Sequence, residues 1–309
     1  MNLSAFENPG KFWRGNIHTH SNLSDGLLDP GEVCRRYKNQ GYDFISVTDH
    51  FVGLYDYPLT DTSDFRDENF TTLIGAELHS GALENGELWH ILAVGLPTDF
   101  KPSNSPHFLP IRDQESGPEI ALRAANAGAF VAIAHPHWSG LSFKDALSIS
   151  AAHAVEVYNH GCAVGADRAD GFHILDLLLA NNKRLNLIAT DDAHFTEPDH
   201  FGGWLMVKSE KNEPEYLLKA LRSGAFYSSQ GPELKNISIS EKKINIHTSA
   251  VSSVILQGQG SAATAHHGES ITKISLSLSR FLKGGWVRVT AVDRANKKAW
   301  SNPILLKKE

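Results

Sequence analysis

Asn16-Ile17-His18-Thr19-His20 sets two imidazoles two residues apart, and alternate side chains of a strand share a face, so both rings can enter one cavity. Asp25 follows in a loop ended by Gly26. Two imidazoles and a carboxylate suit a divalent transition ion such as Zn, Mn or Fe. A lone His-x-His pair says little, but the same chemistry recurs along the chain. Asp49-His50, Glu77, His135-Pro136-His137 and Asp191-Asp192-Ala193-His194 each follow a short apolar run, whereas His90 opens one. Carboxylates crowded at one rim would repel each other unless cations lay between them, and every buried polar group left without a partner is costly.

The elements that must carry these residues can be read in order. Asp29-Pro30-Gly31-Glu32 is a helix start, with Asp as N-cap and Pro in the first turn, and that helix runs to about Gln40 before Gly41. Strands are predicted at 44–48, 73–76, 89–95, 129–134, 154–158, 185–190 and 204–207. Helices are predicted at 119–127, 169–180 and 214–222, the first closed by Gly128 and the last by Gly224. Residues 51–70 are polar loop. Residues 97–118 hold several Pro, Ser and Asn without periodicity, and a loop of that length suggests a lid. Strands alternating with helices imply parallel βαβ units. In a barrel of such units the active site gathers at the C-terminal strand ends, where these Asp, Glu and His residues stand.

After Ser228-Ser-Gln-Gly-Pro232 the texture changes to short alternating strands at 236–240, 243–247, 253–257, 273–278 and 286–292, with no helix signal. The expected division is therefore a barrel over 1–232 and a small β-sandwich-like domain over 233–309, roughly 75 residues and large enough for its own core.

The bulk numbers exclude several classes. A formal charge of −6 over 309 residues argues against a broad nucleic-acid face, although cations bound in a site would still admit a small phosphorylated substrate. Cys34 and Cys162 cannot form a disulfide framework or a Cys-based zinc site, and Cys34 reads as a small core residue. The start lacks an export signal and no apolar run is long enough for a bilayer, so a cytoplasmic protein with no membrane partner is expected. Gly258-Gln-Gly260-Ser-Ala-Ala263 matches G-x-G-x-x-A without a surrounding βαβ unit, and neither a Walker P-loop, His-Glu-x-x-His nor G-x-S-x-G occurs. The 16 histidines are the anomaly, and most precede residue 201.

Asn16-Ile-His18-Thr-His20, Ser24-Asp25-Gly26, Thr48-Asp49-His50, Glu77, Ala134-His135-Pro136 and Asp192-Ala-His194, taken together and in order, resemble the motif set of the polymerase-and-histidinol-phosphatase (PHP) family over residues 13–232. The resemblance implies an α/β fold, a distorted (β/α)7 TIM-like barrel, here followed by a small all-β domain. It also implies two or three divalent metal ions (Mn, Fe or Zn) and phosphoester hydrolysis. By the resemblance His18, His20, Glu77 and Asp192 hold one metal, while Asp25, His50, His135 and His194 serve its neighbours. Asp25 resembles a branch of small nucleotide phosphatases, and His90 matches a recurrent metal-site histidine of that branch whose role stays open. Gly224 to Pro232 and the late Val287 to Pro303 stretch resemble a branch that includes carbamate-cleaving hydrolases.

The expected function is a metal-dependent phosphoesterase acting on a small phosphorylated metabolite or nucleotide by metal-activated hydroxide attack, with no covalent nucleophile on the protein. Beside Asp192, His194 or His137 would donate the leaving-group proton. Arg168 is either a solvated surface arginine or the contact for a terminal phosphate. Asn159 and His137 either touch substrate or orient the ligands, and Asp191 is expected to face solvent. His153, His160, His173, His200, His247, His266 and His267 are expected to be surface or packing residues. Two other readings stand beside this one: cleavage of carbamate, amide or carboxylic ester bonds at the same site, and an inert barrel whose β-domain binds a partner.

Overall fold

A computed structural model describes residues 3–111 and 114–306. The strands β1 (Lys11–Asn16), β2 (Phe44–Val47), β3 (His50–Phe51), β4 (Thr71–Leu78), β5 (Ile91–Val94), β6 (Phe130–Ile133), β7 (Ala154–Asn159), β8 (Asn186–Thr190), β9 (Trp204–Ser209) and β10 (Phe226–Ser229) are interspersed with helices. Six further strands follow: β11 (Leu234–Ser240), β12 (Lys243–Gln257), β13 (Ala263–Ser277), β14 (Trp286–Val292), β15 (Lys298–Ser301) and β16 (Ile304–Leu305). The helix Pro30–Asn39 starts as its sequence requires, with the Asp29 side chain accepting from Glu32 N. Gly117–Asn126 starts two residues earlier than expected, because the Glu119 carboxylate accepts from both N and Oγ of Ser116. The helix expected from Ala169 begins only at Phe172, and a short helix at His160–Ala166 was not anticipated.

One sheet path runs β11-β12-β14-β15-β10-β9-β1-β2-β4-β5-β6-β7-β8. The neighbours β1–β2, β2–β4, β6–β7 and β7–β8 are parallel, as expected. β5 is antiparallel to both β4 and β6, and β9 is antiparallel to β1 and β10, which corrects the all-parallel expectation. The reason lies in the connection. No helix separates β4 from β5, only a loop pinched by the Ala82–Leu88 bridge, and a short link of that kind joins antiparallel strands. Among the described residues the path does not close as a ladder between β8 and β1. Just beyond their ends, a single parallel bridge joins Thr19 to Ala193, with Asp192 N donating to His18 O and His20 N to Ala193 O.

Lower down, the gap beside β8 is spanned by side chains. Leu187 N donates to Asn302 Oδ1, Asn302 Nδ2 donates to the carbonyls of Gly224 and Phe226, and Ser228 Oγ donates to Leu187 O. The late strands join the rest through β15, which pairs with β10. Two of the expected strands, 243–247 and 253–257, are one continuous strand with bulged pairing, while β15 and β16 went unread.

Alternate positions along the strands separate two packing layers. On β5, Leu92 and Val94 pack with Ile17, Phe44 and Phe130, whereas Ile91 and Ala93 pack with Trp89, Ile133 and helix residues such as Ile120 and Leu175. Residues 97–111 and 114–116, the expected lid, are irregular but tied down. Phe100 packs in the core near Phe51, Gly53 N donates to Ser105 O, and Ser80 Oγ donates to Glu115 O. Arg112 and Asp113 of that segment lie outside the described residues. No helix among the described residues is long and apolar enough to cross a membrane.

Gly15 sits on β1 where a Cβ would come within 2.2 Å of the Phe44 ring, itself fully buried. Gly15→Ala is expected to lower stability by about 1–3 kcal/mol through overpacking, read from the urea midpoint. An unchanged midpoint would show that the ring can swing aside.

Candidate metal centre

Glu77 lies at the end of β4, inside a ring of imidazoles. Its Oε1 accepts from His90 Nδ1 at 2.8 Å and from His135 Nε2 at 3.0 Å. Its Oε2 lies 2.9 Å from His50 Nδ1, 3.5 Å from His20 Nε2 and 3.6 Å from His18 Nε2, yet makes no hydrogen bond. Antiparallel β5 explains why His90 arrives here. A strand running the opposite way presents its beginning at the rim where its neighbours end, so the histidine that opened a strand in the sequence joins those that closed theirs.

Three groups of side chains have one ligand atom each within 4.8 Å of the others: His18, His20, Glu77 and Asp192; His20, Asp25, His50 and His194; and His50, Glu77, His79 and His90. His135 lies outside these groups but stays close, 3.0 Å from Glu77 and 4.0 Å from Asp192. All nine residues expected to bind metal are therefore brought together. The groups overlap at His20, His50 and Glu77.

Hydrogen bonds behind the rings determine which nitrogen faces inward. His18 Nδ1 donates to Glu156 Oε1 at 2.9 Å, leaving a buried Nε2 that has no hydrogen-bond partner. His194 Nδ1 donates to the carbonyl of Asp192 at 3.0 Å and turns Nε2 toward Asp25, 3.4 Å away. Asn159 Nδ2 donates to Asp192 Oδ2 and Glu156 Oε2, while its Oδ1 accepts from Cys162 N as the cap of the His160–Ala166 helix. With every polar atom committed and no exposure, Asn159 lies behind Asp192, so the expectation that it contacts substrate is corrected.

Asp191 is likewise corrected. It is fully buried and accepts from Tyr37 Oη and from the backbone of Phe201, Gly202 and Gly203. Burial outweighs these donors and raises its pKa to about 6. Asp49 also serves from behind, accepting from Ser21 N, Ser21 Oγ and Ser24 Oγ and thereby holding the loop that carries Asp25. The backbone is strained at two of these positions, with φ of 21° at His135 and 55° at Asp192.

The electrostatics ask for cations. Burial would raise the pKa of Glu77, but the surrounding histidines outweigh it and hold the carboxyl well below its ordinary range, and Asp192 behaves in the same way. Burial, followed by the charges of His194 and His50, lowers His20 to about 4, so its ring is neutral with a lone pair to offer. Buried carboxylates that stay ionised, a neutral imidazole, and the orphaned pair His18 Nε2 and Glu77 Oε2 together fit divalent metal ions.

A cavity of about 820 Å³ opens on this cluster, walled by Phe108, Trp138 and Leu88. Arg168 stands exposed on its lining, and its guanidinium has no ion-pair partner among the described residues. His137 does not line the cavity. It is exposed, because the turn that follows Pro136, closed by Ser139 N and Leu141 N bonding back to His135 and Pro136, brings Trp138 and Ser139 inward instead. Two buried residues of the centre were missed, Glu156 and His79. A charged residue inside the apolar run Ala154-Val-Glu-Val157 was the available signal for the first, and spacing of two from Glu77 was the signal for the second.

Neither a sequence-family model nor a curated protein matches the chain. Solved structures do. A two-domain protein of Bacteroides vulgatus containing a predicted PHP-like metal-dependent phosphoesterase is similar over 97% of this chain and 98% of its own, with 17% identity and a TM-score of 0.54. A candidate metal-dependent phosphoesterase of Bifidobacterium adolescentis aligns over 68% of this chain and 96% of its own (15% identity, TM-score 0.44). An amidohydrolase of Chromobacterium violaceum aligns over 60% and 89% (15% identity, TM-score 0.45). The chain thus has the fold of the two-domain PHP-like protein, end to end.

Proposed function

We propose that the chain is a metal-dependent hydrolase of the PHP type, its N-terminal part a distorted (β/α)7 barrel, that cleaves a phosphoester of a small metabolite or nucleotide. One observation carries the reading: a buried, ionised Glu77 encircled by histidines, with one oxygen free of hydrogen bonds, at the floor of an open cavity. His18, His20, Glu77 and Asp192 would hold one ion, and Asp25, His50, His90, His135 and His194 would supply ligands to its neighbours. When bound, such ions supply an activated water and neutralise charge on the oxygens around phosphorus.

The chain's own residues do the rest. Glu156 and Asn159 hold His18 and Asp192 in orientation, and Asp49 holds the loop of Asp25. His194, with 26% of its side chain exposed, would serve either as a ligand through Nε2 or, left free of an ion, as the ring that carries a proton to the leaving group from the cavity side. Arg168 offers the leaving portion a bidentate anion contact. Trp138 and Phe108 line the cavity and present flat apolar faces.

A carbamate, amide or carboxylic ester substrate is the second reading, and the composition of the cavity favours it. Arg168 is the one Lys or Arg among the described residues lining it, against Glu87, Glu197 and Asp199, so the outer wall has little to attract a dianion.

Protein purified without chelator is expected to contain Mn, Fe or Zn by elemental analysis and to hydrolyse phosphoesters. Chelation should abolish turnover and added Mn²⁺ restore it, while Glu77→Gln should cut metal affinity by at least about 100-fold. Metal-free active protein would overturn the proposal. Arg168→Ala should raise KM for phosphoesters roughly tenfold with kcat little changed, the loss of a charge-assisted bond of about 1.5 kcal/mol. Faster turnover of aryl carbamates than of any phosphoester, in parallel panels with Mn²⁺, would move the assignment to the second reading.

A further inference from the structure

His79 is fully buried and does not line the cavity, yet its ring lies against His50, which does. Its Nδ1 is 2.9 Å from the carbonyl oxygen of Trp89, and its Nε2 is 2.8 Å from His50 Nδ1. A carbonyl only accepts, so His79 Nδ1 carries the hydrogen and Nε2 of the neutral ring is left as an acceptor. The hydrogen on His50 Nδ1 then points at His79. The other candidate acceptor, Glu77 Oε2 at 2.9 Å, makes no hydrogen bond. With Nδ1 committed, His50 turns Nε2 toward Asp25 Oδ2, 3.5 Å away.

We propose that His79 is a positioning residue, a second imidazole that passes the direction of the Trp89 carbonyl to His50 and so fixes which nitrogen of His50 faces the group formed with His20, Asp25 and His194. The proposal rests on the metal reading above. The far end of this chain of bonds is anchored, because Trp89 is buried against Gly117, where even a Cβ would fall 2.3 Å from the indole. The flank is fixed as well, since Phe108 meets both His50 and His79 edge to face, with centroids at 4.9 and 5.6 Å.

The alternative is that His79 binds an ion itself, and two variants separate the roles. His79→Gln keeps an acceptor for His50 and a donor for Trp89 but is a poor transition-metal ligand, whereas His79→Leu removes both functions. Zn²⁺ titration of the full chain after chelator dialysis is expected to give the wild-type number of ions for both variants. Affinity should stay close to wild type for Gln and fall about 10–100-fold for Leu. Loss of one ion per chain in both variants would make His79 a ligand and overturn the proposal, as would unchanged affinity in His79→Leu. Nitrogen-15 NMR of the metal-free wild type should show His79 protonated on Nδ1 alone, and a hydrogen on Nε2 would also overturn it. If His79→Leu does not fold, the Gln variant and this measurement decide. Failure of the wild type to bind Zn²⁺ would sink the metal reading, while the tautomer would still decide the part played by His79.

Discussion

Glu77 is the charge on which the molecule's interior depends. A buried carboxylate keeps its proton unless positive charge surrounds it, and here that charge comes from imidazoles set on four different stretches of chain. Several imidazoles are in turn held by a group behind them: Glu156 behind His18, the Asp192 carbonyl behind His194, Ser139 beside His135. The arrangement is stable only as a whole, because an ion or carboxylate removed from a buried set leaves its neighbours uncompensated. Strand geometry therefore serves electrostatics. The sheet brings its ends to one rim, and buried hydrogen bonds set the direction of each ring.

The antiparallel β5 shows how topology and chemistry are coupled. With a helical crossover, β5 would have run with its neighbours and carried His90 to the opposite end of the sheet. The short loop before it reverses the strand, so His90 and His79 sit on the two sides of one turn, both against Glu77 or His50. The same loop supplies Trp89, whose carbonyl closes the hydrogen-bond chain from His50.

Much of this rim was legible in the residues. Apolar runs ending in Asp, Glu or His announced where strands stop, and those residues do converge. What could not be read depended on facing and direction rather than on residue type. Asp191 and Asp192 are neighbours of the same kind, and only a left-handed turn at Asp192 sends one into the centre and the other into a nest of backbone donors. His135 and His137 both flank Pro136, yet the turn there buries the first and exposes the second. Asn159 looked like a rim residue and proved to be a helix cap holding a carboxylate from behind. Glu156 was hidden inside an apolar run, where a strand pattern gives no hint of what a charge is for. Of the strands after Pro232, those expected at 236–240 and 286–292 are present, two others are one strand and the last two were unread, and their pairing into the path beside β10 rests on contacts far apart in sequence.

Asn302 carries a consequence of its own. Its amide stitches β8 to the stretch around Gly224 and Phe226, on the side where no ladder joins the strands. Residue 302 must therefore be synthesised before the scaffold beneath the candidate metal centre acquires its last buried bonds, and a ribosome-bound chain halted anywhere before it holds the clustered histidines on an unfastened frame. Such late, long-range closure is slow by nature. Maturation of the site waits on a residue that never touches it.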